Sequence, residues 1–432
     1  MRGLAGVRVA TRIRASAASA AVAGQLTLAG GSFLLQLLAA RQLGAEGLGT
    51  FALLFGSTVM ATAVSTGLVG DSLTVLDRHD PGVRRALLRC AVLVVALCSV
   101  GGAALAFFAG GLPGSTSTLF GLATAAFMAA DLLRRTLMAN LRFWSLVAVD
   151  LASLCASMSV LVACALLGRL GVGSFLGALA TGQAVACVVA LRSLPPAERH
   201  LPPRAPAAVG AVLAFGTWRA VQQFVRPTML NLARWLVLVA AGRAAVGELE
   251  AARVFVAPAM LLVQGLGSYL FSSYAAGHAE PTASLLRRAD RVAVLMLAGA
   301  LGGSVVAALG ADVLGSVVTG GGYGLSTVAV LGWGVYAASC AAVLPYGSLA
   351  AVRGAPGTVL GLRVADSCLG LAATAAALLL LGTTTGVTPW LLSIGSFVGG
   401  LLCRRLLVRR PLGAVRAARP ATAAAGAQRG RP

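Results

Sequence analysis

Apolar runs of about 20 residues, the length that carries a helix across a bilayer, recur from one end of the chain to the other. Short polar connections separate them. The runs are continuous and do not alternate in polarity, so they predict helices, not the strands of a membrane barrel. Twelve spans can be placed, near 17–40, 50–76, 90–111, 118–139, 146–168, 174–192, 209–240, 248–276, 292–311, 326–350, 358–381 and 389–407. No connection is long enough for a separate folded domain. The fold class this predicts is an all-α polytopic membrane protein.

Composition agrees. Of 432 residues, 58% are hydrophobic and 11% are charged, with a mean hydropathy of +0.89; a soluble chain carries about 25% charged residues. The net charge of +21 comes entirely from arginine, since lysine is absent. These arginines cluster between the apolar runs, which is the pattern of cytoplasmic loops and not of a nucleic-acid-binding surface. With the N-terminus inside, the external loops hold only Arg41, Arg169 and Arg243. Arg219, Arg226, Arg234 and Arg253 lie within spans, and the other arginines all fall on the cytoplasmic side. The expected location is therefore the cytoplasmic membrane, with both termini cytoplasmic. Residues 1–16 form a basic N-terminus, and the small-residue stretch that follows comes too early for a cleaved signal, so the first span is expected to be retained. The tail 408–432, rich in Ala, Pro, Gly and Arg, is expected to be disordered or to lie against anionic membrane lipids.

The eight cysteines show no CxxC spacing and lie mostly inside apolar runs, as small apolar residues do. His79, His200 and His278 fall in connections. No metal or cofactor is expected.

The chain repeats weakly at an offset of 200 residues. "LAARQLGAEGLGTFALLF" ends at Phe55 and "LVAAGRAAVGELEAARVF" ends at Phe255, with Gly47 matched to Gly247. Each is followed by a long span and an arginine pair, Arg84–Arg85 and Arg287–Arg288. Six spans per half give both halves the same orientation, the parallel pseudo-repeat of a transporter with its substrate path between the halves. The expected division is an N-lobe over 17–195, a cytoplasmic linker over 196–208 and a C-lobe over 209–407.

"LLAARQLGAEGLGTFALLF" resembles the first-loop signature of the polysaccharide biosynthesis, or O-antigen-type flippase, family, within the multidrug/oligosaccharidyl-lipid/polysaccharide (MOP) exporter superfamily. "LGADVLGSVVTGGGYGLSTVAVLGWGVYAAS" resembles that family's glycine-x-x-tyrosine turn before the tenth span. The resemblance implies two six-helix lobes around a central cavity, a MATE/MOP-like fold, and alternating-access export of an undecaprenyl-pyrophosphate-type oligosaccharide for cell-surface polysaccharide. It also implies glycosyltransferases and a polysaccharide polymerase as functional partners. Glu248 and Glu250 depart from the pattern, which usually has smaller or aromatic residues there.

An anionic headgroup needs fixed positive charge in a hydrated groove, and the planar fork of arginine suits phosphate. On a helix through "GTWRAVQQFVRPTMLNLARW", Arg219, Gln222, Gln223, Arg226 and Arg234 share an arc of about 120°. Arg219 falls roughly 15 Å into the bilayer, where an arginine costs on the order of 2.5–3.5 kcal/mol. Two readings follow: a cavity-lining stripe that binds the headgroup, or structural pairing of Arg219 with a buried acid such as Asp150 or Asp366. Pro227 predicts a bend after Arg226. Arg234 and Arg253 lie nearer the external side, where snorkelling is the rival reading. On the first span, Gln25, Ser32 and Gln36 share one stripe, fit either to contact sugar hydroxyls or to bond between helices. Asp71 is either an ion-coupling site or a snorkelling acid. Two other classes compete with the flippase. A MATE-like multidrug exporter handles cations and would want acids in place of these arginines. A membrane polymerase or ligase would need a catalytic external loop, and no nucleophile–base pair stands in one.

Overall fold

The computed structural model describes residues 23–24, 27–140, 142–199, 206–276, 280–311, 315–316, 319–321, 324–352 and 356–409. The basic N-terminus, Gln25, His200, His278 and the tail beyond 409 lie outside them. Regular structure among the described residues is helical throughout, without strands, and ten helices are long and apolar enough to cross a membrane.

The helices are α1 (27–42), α2 (Gly44–Ser65, prolonged through a wide turn at Thr66–Gly70 and Asp71–Val75), α3 (Pro81–Phe108), α4 (Gly114–Ala139), α5 (Phe143–Leu166) and α6 (Val172–Ser193). Then follow α7 (Val209–Ala276), α8 (Thr282–Leu309), α9 (Thr327–Val352), α10 (Pro356–Ala375, ending in a wide turn at Ala376–Leu380) and α11 (Thr388–Arg409). The described residues fall into two compact units. The first is drawn from Met1–Ala257, Ala307–Val330 and Thr374–Thr388, and the second from Pro258–Val306, Leu331–Ala373 and Pro389–Pro432.

Local signals explain the ends. Asp80 caps α3 by accepting from the Val83 N–H at 2.8 Å, with Pro81 at the first helical position. The wide turn of α2 is closed by the Asp71 N–H donating to the Thr66 carbonyl, five residues back.

The 68 residues of α7 merge the seventh and eighth predicted spans. A straight helix of that length would run about 100 Å, three times the hydrocarbon core. The chain instead turns back at Gly242, whose φ of 84° belongs to glycine. The proof is a bond. Arg234 Nε meets Glu250 Oε1 at 2.7 Å, whereas 16 residues of straight helix would hold them about 24 Å apart. Backbone dihedrals stay helical through Pro227, so the interruption falls at Gly242 and not at the predicted proline bend. The first arm, 209–241, and the start of the second, 243–257, form a hairpin within the first unit.

Helix α2 packs against both arms through glycines. A Cβ at Gly67 would strike the Ala220 backbone, and one at Gly216 the Leu68 carbonyl. Further along, a Cβ at Gly49 would strike the Arg243 carbonyl, and one at Gly247 the Ala45 carbonyl. The two repeat segments recognised in the sequence are thus in backbone contact with each other. Around them Leu35, Phe51, Leu54, Phe120, Phe175 and Ala251 are buried in one core, with Phe55 and Phe255 packed against it. Phe51 stacks on Phe55 at 5.9 Å and tilts on Phe175 at 5.8 Å. By contrast α3 exposes Val92, Leu93, Leu97 and Val100, as a helix facing hydrocarbon does.

The second unit has its own core of Leu270, Tyr274, Leu285 and Leu349. Arg404 holds Asp290 through two bonds of 2.8 and 3.1 Å, and the Tyr346 hydroxyl donates to the same carboxylate at 2.7 Å.

Replacing Gly247 by leucine should lower the melting temperature of the purified protein in detergent, by overpacking worth about 1–3 kcal/mol. Leucine at Gly299, where a Cβ meets nothing within 4 Å, should leave the melting curve unchanged.

Candidate functional site

Two charged networks lie inside the first unit, and most of the candidate residues are in them. The first gathers where α2, α4 and the first arm of α7 meet. Arg219 donates to Asp71 Oδ2 from Nε at 2.9 Å and from Nη2 at 2.8 Å, and from Nη1 to Gln222 Oε1 at 2.6 Å. Gln223 Nε2 adds a donor to Asp71 Oδ2 at 3.3 Å. Arg135 Nη1 stands 3.9 Å from Asp71 Oδ1, while its Nε donates to Asp131 Oδ2 at 2.8 Å. Thr66 completes the set by donating to Asp131 at 3.0 Å.

The backbone explains the convergence. Gly67 and Gly216 let α2 and α7 touch, which brings Asp71 within reach of Arg219 across 148 residues of sequence. Gly70 leaves the space that the Arg135 side chain fills. The wide turn at Thr66–Gly70 sets the face that Asp71 presents. Arg226 lies two turns on from Arg219, exposed on the same arm.

The second network is buried deeper. Glu250 is 2% exposed and holds two arginines: Arg234 at 2.7 Å and Arg253 at 2.6 Å. Arg253 Nη2 reaches on to Gln36 Oε1 at 2.5 Å, and Gln36 Nε2 donates to the Ser32 carbonyl and hydroxyl oxygens, each at 3.2 Å. Asn231, also buried, donates to Ser57 at 3.3 Å and crowds the same space beside Gly56 as Arg234.

Arg219 therefore pairs with an acid, but the acid is Asp71 and not either of the two expected. Asp150 is taken by Arg134 at 3.1 Å, joining α4 to α5, and Asp366 belongs to the second unit. Arg234 and Arg253 are anchored inward on Glu250 and do not reach for a surface. Of the two glutamates that depart from the family pattern, Glu248 is exposed and Glu250 is the buried hub. Sequence reasoning missed Asp131, Arg135 and Thr66. The i,i+4 spacing of Asp131 and Arg135 within an apolar run was the available signal.

In the α2–α4–α7 cluster Arg135 and Arg219 balance Asp71 and Asp131, while the second network is net positive, with Glu250 facing two guanidiniums. Such a site can receive an anion by exchange for an internal carboxylate, with glutamines and hydroxyls at hand for neutral polar groups.

The fold is that of the MATE transporters of the MOP superfamily. A multidrug resistance MATE family transporter of that superfamily, in an inward-facing conformation, matches with a TM-score of 0.73 and 11% identity over 91% of this chain and 96% of that one. An outward-facing conformation of a multidrug resistance MATE family transporter matches at 0.62 and 12% identity, over 91% and 95%. A MOP superfamily transporter from Pyrococcus furiosus, described as having a binding pocket of reverse polarity that suggests a different function, matches at 0.60 and 12%, over 91% and 95%. No protein-family model matches the chain, and no curated protein matches it in sequence.

Replacing Glu250 by glutamine leaves two buried guanidiniums uncompensated, a change that should cost roughly 3–5 kcal/mol. Thermal unfolding should show that loss, and adding Arg253→Gln should recover part of it.

Proposed function

We propose that this chain is a multi-pass exporter that moves an anionic, lipid-linked oligosaccharide of the undecaprenyl-pyrophosphate type across the cytoplasmic membrane by alternating access. The observation that carries this reading is the excess of arginine over acid at Glu250, where two guanidiniums share one buried carboxylate. An arginine inside an apolar bundle is costly, and one carboxylate per arginine would suffice for structure alone. The surplus supports an anionic ligand. Arg219 and Arg226, with Gln222 and Gln223 between them, supply the fork geometry and the neutral donors that a phosphate and a saccharide take up. Gln36 and Ser32 extend the polar path onto α1. Asp71 holds Arg219 while the site is empty, yields it to the ligand and takes it back when the ligand leaves, which makes it the group through which ion coupling would act.

The likeness to a MOP transporter with a pocket of reverse polarity is consistent with this fold accepting a change of charge in its binding region. In the cell, the glycan would come from glycosyltransferases and pass to a polymerase.

A second reading, a MATE-like small-molecule exporter, is favoured by the multidrug transporters among the structural neighbours. It differs in the charge it demands, since a positive region repels cationic drugs.

Arg219→Ala and Arg226→Ala should each lower polymer export at least roughly tenfold, the loss of about one charge-assisted contact, with membrane insertion intact. Normal export from both variants would remove the anion-binding role. Drug resistance conferred on a sensitised host by the unmodified protein, with no effect on polymer export, would favour the second reading.

A further inference from the structure

The second unit carries a charged patch apart from the two networks above: five exposed arginines gathered at one end. Arg287, Arg288 and Arg291 lie in the first turns of α8, and Arg404 and Arg405 in the last turns of α11. Two acids stand near them, Glu280 just before α8 and Asp290 within it. Asp290 holds Arg404, and among the described residues Arg404 alone of the five is in an ion pair. That pair ties the two helix ends together, so the five guanidiniums share one patch.

The two helices run in opposite directions beside α9. A Cβ on Gly334 of α9 would strike Ser304 of α8, and Tyr346 meets Asp290 at the other end, so α8 is antiparallel to α9. A Cβ on Gly332 would strike Trp390 of α11, and one on Gly400 would crowd Val343, so α11 is parallel to α9. With Asp290 at zero, Arg287, Arg291, Val294, Leu295, Val305 and Val306 fall between about 40° and 160° on α8, and all are exposed. With Arg404 at zero, Arg405, Leu401, Leu402, Val398 and Ile394 fall in about the same range on α11, again all exposed. Opposite helix directions put both arcs on the same side of the ion pair. Each arc is charged at the patch and apolar along the rest of its length.

A soluble anion would use only the charged part of this surface, and a neutral lipid only the apolar part. An anionic phospholipid uses both. Basic patches at the ends of membrane helices attract anionic headgroups, and the guanidinium fork matches phosphate. We infer that α8 and α11 hold an anionic phospholipid of the bilayer, with its phosphate among Arg287, Arg291 and Arg405 and its acyl chains along Leu295 and Leu401. The Asp290–Arg404 pair, with Tyr346 on the same carboxylate, sets the two groups of arginines side by side. This site does not depend on which solute the first unit binds.

The test is binding of phosphatidylglycerol and phosphatidylcholine with identical chains to the full-length protein in detergent, followed by native mass spectrometry. Thermal unfolding checks that each variant is folded. The unmodified protein should prefer phosphatidylglycerol by at least about tenfold. Arg287→Gln with Arg291→Gln should remove most of that preference. Arg89→Gln with Arg169→Gln, an equal loss of exposed charge in the first unit, should leave it in place. Glycerol 3-phosphate, the headgroup chemistry without chains, should not displace the lipid at equal concentration. Absence of a preference in the unmodified protein, or equal losses in the two double variants, would overturn the site. Displacement by glycerol 3-phosphate would overturn the lipid as its occupant in favour of a soluble anion.

Discussion

One carboxylate holds the hairpin of α7 together. Glu250 is sealed from solvent and draws its two arginines from the two arms, and its bond to Arg234 exists only because the chain reverses at Gly242. Like the Arg219–Asp71 and Arg134–Asp150 pairs, this interaction has a direction that the dispersion contacts between apolar faces lack. It fixes which faces of the two arms meet, and so where Arg219 and Arg226 point along the first arm. A buried ion pair is weak evidence for stability; what it supplies here is register. The link from Arg253 through Gln36 to Ser32 carries the same register onto α1.

The glycines of α2 and α7 do the complementary work. Gly49 and Gly247 bring the two repeat segments into backbone contact, and Gly67 and Gly216 do the same nearer Asp71. Close approach of helices through small residues is the means by which membrane bundles gain dispersion energy without a hydrophobic driving force between them. It also shortens the distance that Arg219 must reach to meet Asp71. Packing and electrostatics in this unit are thus one arrangement, since the same small residues that pack the helices make the ion pair possible.

The spans were legible in the sequence because hydropathy is additive along the chain and the bilayer sets one length for every helix. The α7 polar stripe was legible because helical periodicity is local, and the repeat foreshadowed which segments would touch. Partnership was not legible. Asp71 and Arg219 are 148 residues apart, and nothing in either neighbourhood distinguishes Asp71 from Asp150 as the acid that Arg219 meets. Glu250 looked like a departure from a family pattern, though its i,i+3 spacing to Arg253 hinted at a pair. Pro227 misled for a physical reason: a proline in a long apolar helix can be absorbed by its surroundings, while a glycine at a hairpin has no such alternative.

The wide turn at Thr66–Gly70 decides which way Asp71 faces. It adds one residue to the winding of α2, so every side chain after it is offset by about 100° from the face it would otherwise occupy. Asp71 is the first residue past that offset. Straightening that turn would swing Asp71 about 100° away from Arg219 with every residue identity unchanged, so the pairing is set by backbone winding as much as by side chains.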